Sequence, residues 1–144
     1  MAAIRRAQAT WQGDLTTGSG EVTAATSRAF SELPVTWASR TEEADGRTSP
    51  EELIAAAHAA CFSMALSAQL GGAGMTPESI DTAATLTLEK LEPGFTVTGI
   101  HLEVVARIPG AKAAAFEKAA GEAKANCPIS RLLNTKITMN ARLA

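Results

Sequence analysis

Ser49-Pro50-Glu51-Glu52-Leu53-Ile54-Ala55-Ala56-Ala57-His58-Ala59-Ala60-Cys61-Phe62-Ser63-Met64-Ala65-Leu66 is the stretch on which the fold turns. It reads as the opening of a long helix. Ser49 is a good N-cap, Pro50 suits the first helical position, and Glu52 completes a Ser-x-x-Glu capping box. Gly71-Gly72 marks the stop. Between these signals the segment is apolar nearly all round, which predicts a buried central helix rather than a surface one. Residues 53–70 approach the ~20 apolar residues that a membrane span needs. His58, Ser63, Ser67 and Gln69 interrupt the run and Glu51-Glu52 precede it, so a core helix is the better reading and no membrane partner is expected.

Working outward, three strand-like stretches precede this helix. Arg5, Ala7, Ala9 and Trp11 alternate with polar residues, and residues 21–30 and 35–39 are rich in Val, Thr and Ala. Arg40 ends the third of them, where a charged loop begins. After the helix, Ile80, Thr82, Ala84, Leu86 and Leu88 alternate, and Ile100, Leu102, Val104, Ala106 and Ile108 answer across a Glu92-Pro93-Gly94 turn. A second helix follows Pro109-Gly110, with Ala113, Phe116, Ala119, Ala120 and Ala123 towards the core. Pro128 opens a short helical turn, and residues 136–143 form a last strand. The order βββ-α-ββ-α-β predicts an antiparallel α+β architecture in which residues 1–144 form a single domain.

Bulk composition excludes several partners. The chain has 144 residues, 46% of them hydrophobic, and 13 basic against 15 acidic residues give a net charge of −2, so nothing favours nucleic acid or an anionic surface. Tyr is absent and aromatics reach 4%, so packing rests on Ala, Leu, Val and Ile. A nearly all-apolar helix beside strands with few large residues leaves apolar surface that a second copy of the chain would cover. No basic, apolar and small-residue sequence of a leader opens the chain, and the expected compartment is a reducing cytosol. There, paired cysteines are more often catalytic or metal-binding than structural.

The chain has two cysteines, Cys61 inside the long helix and Cys127 before Pro128, 66 residues apart. Inert packing, a metal site and a redox couple all fit that count. A Cys among Ala, Phe, Met and Leu behaves as a small hydrophobe, and burial silences it unless a cation holds the thiolate. His58 lies one turn before Cys61, as a partner or as a core histidine. Two Cys and two His permit a zinc count, but His101 falls on the polar face of its strand and no C-x-x-C spacing exists. Cys127 sits at a helix start, where backbone N–H groups favour an anion. Glu51 has no evident structural task beyond favouring the helix dipole.

The quoted helix, together with Cys127-Pro128-Ile129-Ser130, closely resembles the two cysteine signatures of the OsmC/Ohr family of thiol-dependent hydroperoxide reductases, on the OsmC side. Trp11-Gln12-Gly13-Asp14 and Ser79-Ile80-Asp81-Thr82 are similar to it as well. The resemblance implies an OsmC/Ohr-like fold, an intertwined homodimer and a peroxidase that needs no cofactor and no metal. It implies Cys61 as the peroxidatic thiolate, Cys127 as the resolving thiol, Arg40 as the catalytic cation and Glu51 as the carboxylate that orients it. The expected cycle reduces an organic hydroperoxide to an alcohol through a Cys61 sulfenic acid and a Cys61–Cys127 disulfide. Small thiols and dithiols such as lipoyl groups both fit as reductants, and Phe62, Met64 and Leu66 are expected to line an apolar pocket. One geometric point is separate from the resemblance. Glu51 and Cys61 are ten residues apart on one helix, hence about 15 Å along its axis, so Arg40 and Glu51 are expected to serve the Cys61 of the other subunit. The rival from another class is a non-enzymatic dimer that binds an apolar ligand while its cysteines merely pack.

Overall fold

The computed structural model describes all 144 residues, Met1–Ala144. They form two compact units, residues 1–53 and 54–144.

The first unit holds a three-stranded antiparallel sheet of β1 (Gln8–Gln12), β2 (Ser19–Thr23) and β3 (Leu33–Val35), in that order. The turn between β1 and β2 is closed by Asp14, whose carboxylate accepts from the backbone and hydroxyl groups of Thr16 and Thr17. The second strand is shorter than its β-branched composition predicts. Beyond Thr23 the chain folds into a loop in which the Ala24 N–H donates to the Phe30 carbonyl and Arg28 takes a left-handed φ of 59°. The expected strand over residues 35–39 is also corrected. β3 ends at Val35, and Trp37–Thr41 forms a short helix, α1. Thr36 caps it, accepting from the Ser39 N–H while the Ser39 hydroxyl accepts from the Thr36 N–H. That reciprocal pair satisfies donors that a helix start otherwise leaves unpaired, and it outweighs the strand preference of Val, Thr and Trp.

The long helix α2 (Pro50–Gly72) starts where its sequence signals place it. The Ser49 hydroxyl accepts from the Glu52 N–H as an N-cap. The capping box is only half made, because the Glu52 carboxylate accepts from the Thr48 hydroxyl instead of reaching back to the Ser49 amide. At the other end the terminator is Gly74 rather than Gly71-Gly72. Gly74 has φ +78°, its N–H donates to the Gly71 carbonyl, and the Met75 N–H donates to that of Leu70, which is a Schellman closure.

In the second unit, β4 (Ser79–Lys90) pairs antiparallel with β5 (Phe95–Arg107) through the expected hairpin, with a bulge that leaves Thr98 unpaired opposite Thr87 and Leu88. The last strand, β6 (Ile137–Leu143), lies on the other side of β5 and runs parallel to it. The all-antiparallel expectation is therefore corrected. A parallel neighbour needs a crossover, and α3 (Ala113–Asn126) with α4 (Pro128–Leu132) provides it. Phe62, Leu66 and Leu70 of α2 join Ile100, Leu102, Val104 and Ala106 of β5 and Phe116, Ala119, Ala120 and Ala123 of α3 in one core. Ala113, expected there, is exposed, since it stands at the first turn of α3.

The buried central helix is only partly realised within one chain. His58, Phe62, Leu66 and Leu70 form a single stripe of spacing four that is fully covered, while Met64 on another face is 73% exposed. Phe62→Ala removes the largest side chain of that stripe and is expected to lower stability by about 3–5 kcal/mol. The fall in the urea unfolding midpoint at unchanged slope measures it.

Candidate functional site

The expected site residues fall into two constellations, one in each unit. In the first, Arg40 projects from α1 and Glu51 from the first turn of α2. Glu51 Oε1 accepts from Arg40 Nε at 2.9 Å and lies 2.7 Å from Nη2. Both nitrogens of the fork therefore converge on one oxygen. The pair is partly shielded, with the Glu51 side chain 12% exposed and that of Arg40 34%. The Arg40 guanidinium also sits 5.7 Å from the centre of the Trp37 ring, a cation–π contact one turn back along α1. Glu51 Oε2 is buried and has no hydrogen-bond partner. Glu51, which has no role in capping α2, is thus the fixed anchor of Arg40.

The second constellation is built on α2 and α4. Cys61 is half-buried beside the core stripe, whereas Cys127 is fully buried. Cys127 ends α3 and caps α4, because Pro128 cannot continue α3 yet fits the first position of α4. That sharp junction brings the sulfur of Cys127 within 3.0 Å of the Cys61 sulfur. In the neutral pair Cys127 Sγ–H donates to Cys61.

Deprotonation reverses that polarity. Burial, then the hydrogen bond with Cys127, pushes the Cys61 thiol up; the Ile129 N–H pulls it down and the Cys127 charge pushes it up again. Burial disfavours the anion at Cys127 as well. There the Cys61 thiol, the Ser130 N–H, the Ser130 hydroxyl and the Ile129 N–H together outweigh it, and the pKa is lowered. The surroundings within one chain therefore favour the anion at Cys127 over the anion at Cys61. No side-chain cap hydrogen bond forms at Cys127.

Two sequence expectations change here. Phe62 and Leu66 are core residues and Met64 points outward, so the three do not line one pocket. His58 is no ring partner to Cys61. It is fully buried, and its Nε2 lies 2.8 Å from Ser130 Oγ, while Nδ1 has no partner. Nor do the two histidines share a site, because the ring nitrogens of His101 engage Thr138 at 2.6 Å and Glu103 at 2.8 Å. Ser130 is the residue that sequence reasoning missed. Its place one turn after Cys127 and the unexplained His58 were the available signals.

Residues 42–142 match the family described as OsmC-like protein. The chain belongs to that family. This OsmC-like chain is 45% identical over 139 residues to peroxiredoxin OsmC of Escherichia coli (strain K12), covering 96% of each. It is similar in fold to an OsmC-like protein from Mycoplasma pneumoniae, with TM-score 0.77 and 15% identity over 100% of this chain and 99% of that one. An OsmC-like protein of unknown function from Vibrio cholerae gives TM-score 0.75 and 17% identity over 98% and 100%. Within this OsmC-like architecture the α+β arrangement of two small sheets and a long helix stands, and the two cysteines lie side by side.

His58 supplies a pH test of the geometry. Burial lowers its pKa, so the folded chain keeps it neutral where the unfolded chain already binds a proton. A depressed pKa makes stability fall as pH drops below about 6.5, the unfolded value. Urea midpoints measured from pH 8 down to pH 5 are expected to decline in the native chain and to decline less in His58→Gln.

Proposed function

We propose that this OsmC-like chain is a thiol-dependent peroxidase that reduces organic hydroperoxides to alcohols. The observation that carries the proposal is the 3.0 Å approach of two thiols 66 residues apart in sequence. The relative named as a peroxiredoxin supports it. Cys61 is the more accessible sulfur and serves as the nucleophile. Its thiolate attacks the terminal peroxide oxygen, the O–O bond breaks, and the alkoxide takes a proton and leaves as alcohol. Cys61 is left as a sulfenic acid. The Cys127 thiolate then attacks that sulfur, hydroxide leaves as water, and a disulfide joins the pair. Two equivalents of an external thiol, or one dithiol such as a lipoyl group, reduce it by exchange. A reducing cytosol is the working compartment for such a cycle.

Cys61 needs help to enter that cycle, because burial and the Cys127 charge both disfavour its anion. A nearby guanidinium reverses that balance and also stabilises the alkoxide as it forms. We assign that task to Arg40, held by Glu51, acting on the Cys61 of a second subunit. Helix rise separates Glu51 from its own Cys61 by about 15 Å. The uncovered face of α2, where Met64 is 73% exposed, and Leu132 of α4, 74% exposed, support a homodimer that buries them.

One equivalent of cumene hydroperoxide is expected to remove both titratable thiols from the native chain, none from Cys61→Ser, and the single remaining thiol from Cys127→Ser without forming an intramolecular disulfide. Two thiols that persist for minutes would turn the reading to a dimer that binds an apolar ligand. Subunit mixing tests the shared site. Arg40→Ala and Cys61→Ser homodimers are each expected to be inactive, and refolding them together should restore roughly one quarter of native activity, as random pairing predicts for one good site per mixed dimer. No recovery in mixed dimers demonstrated by mass would place all four residues in one chain.

A further inference from the structure

His58 and Ser130 are buried, bonded to each other, and unused by the cycle above. His58 lies one turn before Cys61 on α2, and Ser130 three residues after Cys127 on α4. Their 2.8 Å bond therefore ties together the two elements that carry the thiols.

The proton arrangement follows from the unpartnered atom. His58 Nδ1 is buried without a partner. A buried N–H with no acceptor is rarer and costlier than a bare acceptor, so Nδ1 carries the lone pair and Nε2 carries the hydrogen. Nε2–H then donates to Ser130 Oγ. The Ser130 hydroxyl hydrogen is left free to point elsewhere, and Ser130, at the third position of the α4 turn that Cys127 caps, is placed to turn it toward the Cys127 thiolate. The opposite tautomer would spend the Ser130 hydrogen on His58 and bury an orphaned donor.

We infer that His58 and Ser130 are positioning residues that make Cys127 the leaving thiolate when the disulfide is reopened, so that the external thiol is directed to Cys61. The inference rests on the peroxidase reading. In balanced form, an external thiolate attacks Cys61 Sγ, the Cys61–Cys127 bond breaks, and its electron pair departs on Cys127 Sγ. There it meets the Ser130 hydroxyl. A second external thiolate attacks the outer sulfur of the mixed disulfide and releases Cys61, so that two thiols become a disulfide and the protein regains two thiols. Exchange is faster when the departing thiolate is the more stable one and when the attacked sulfur is accessible. Accessibility selects Cys61 for attack, since Cys127 is 0% exposed and Cys61 is only half-buried, and the donors at the start of α4 meet the other condition at Cys127. His58 acts at one remove, by holding the Ser130 oxygen in place and polarising its O–H.

The test uses full-length chains with Ser130→Ala, His58→Leu and His58→Gln, the last of which keeps an N–H where Nε2–H stands. The native chain and each variant are first treated with one equivalent of cumene hydroperoxide. Loss of both thiols in the native chain upholds the peroxidase reading, and their persistence there would sink that reading rather than this one. The oxidised chains are then reopened with dithiothreitol, and mixed disulfides formed with 2-mercaptoethanol are located by mass spectrometry. Separately, the ultraviolet absorbance of the Cys127 thiolate is titrated in a Cys61→Ser background, which needs no peroxide. Losing one hydrogen bond to a charged group is expected to slow reopening about tenfold and to raise the Cys127 titration by about one unit in Ser130→Ala and His58→Leu, with recovery in His58→Gln. The mixed disulfide is expected on Cys61. A Cys127 titration and reopening rate in Ser130→Ala equal to the native values, or a mixed disulfide on Cys127, would overturn the inference.

Discussion

One stripe of α2 governs the second unit. His58, Phe62, Leu66 and Leu70 recur every fourth residue as the one fully buried row of the helix, and the last three pack with β5 and α3. Because successive helical residues are turned by about 100°, Cys61 falls at the edge of the stripe. It is neither sealed in the core nor free in solvent. His58 falls on the stripe itself, which forces a polar ring into an apolar core, where an unpaired polar group is costly. The Ser130 hydroxyl meets that need at Nε2, and the bond ties α4 to α2. The placement of the second thiol beside the first thus follows from satisfying a buried imidazole.

The electrostatics of the thiol pair are asymmetric for the same reason. Both sulfurs lose hydration on burial, yet the donors cluster on the Cys127 side, at the start of α4. A single chain therefore favours a thiolate at Cys127 and disfavours one at Cys61. The Arg40–Glu51 pair is complementary in kind: a cation already oriented by a two-nitrogen fork and a stacked Trp37. Guanidinium held in this way loses little freedom when it meets an anion.

Much of this was legible in the residues. Ser49-Pro50 at the start of α2, the alternation along β4 and β5, and the spacing of Phe116, Ala119, Ala120 and Ala123 each carry a local periodicity that burial reproduces. What failed was non-local or competed with local chemistry. The strand over residues 35–39 lost to the reciprocal Thr36–Ser39 cap, which is a pattern of two hydroxyls rather than of hydrophobicity. The parallel direction of β6 leaves no trace in its own sequence. The two cysteines could be found but their distance could not, because it depends on how α3 breaks at Cys127-Pro128. The His58–Ser130 bond spans 72 residues, and no single-sequence pattern links its ends.

The parallel pairing of β5 with β6 bears on the order in which the chain assembles. A hairpin such as β4–β5 joins residues close in sequence and closes on the microsecond scale, whereas a parallel neighbour must wait for its whole crossover. Cys127 lies within that crossover. A chain emerging from synthesis therefore presents Cys61, on its helix, before the strand that completes the sheet has docked. During that interval Cys61 is a solitary thiol with no sulfur to close upon. An oxidant arriving then meets a cysteine that can be carried past the reversible sulfenic stage. The topology that pairs the thiols in the finished fold also sets a window in which the protein is most exposed to the chemistry proposed for it.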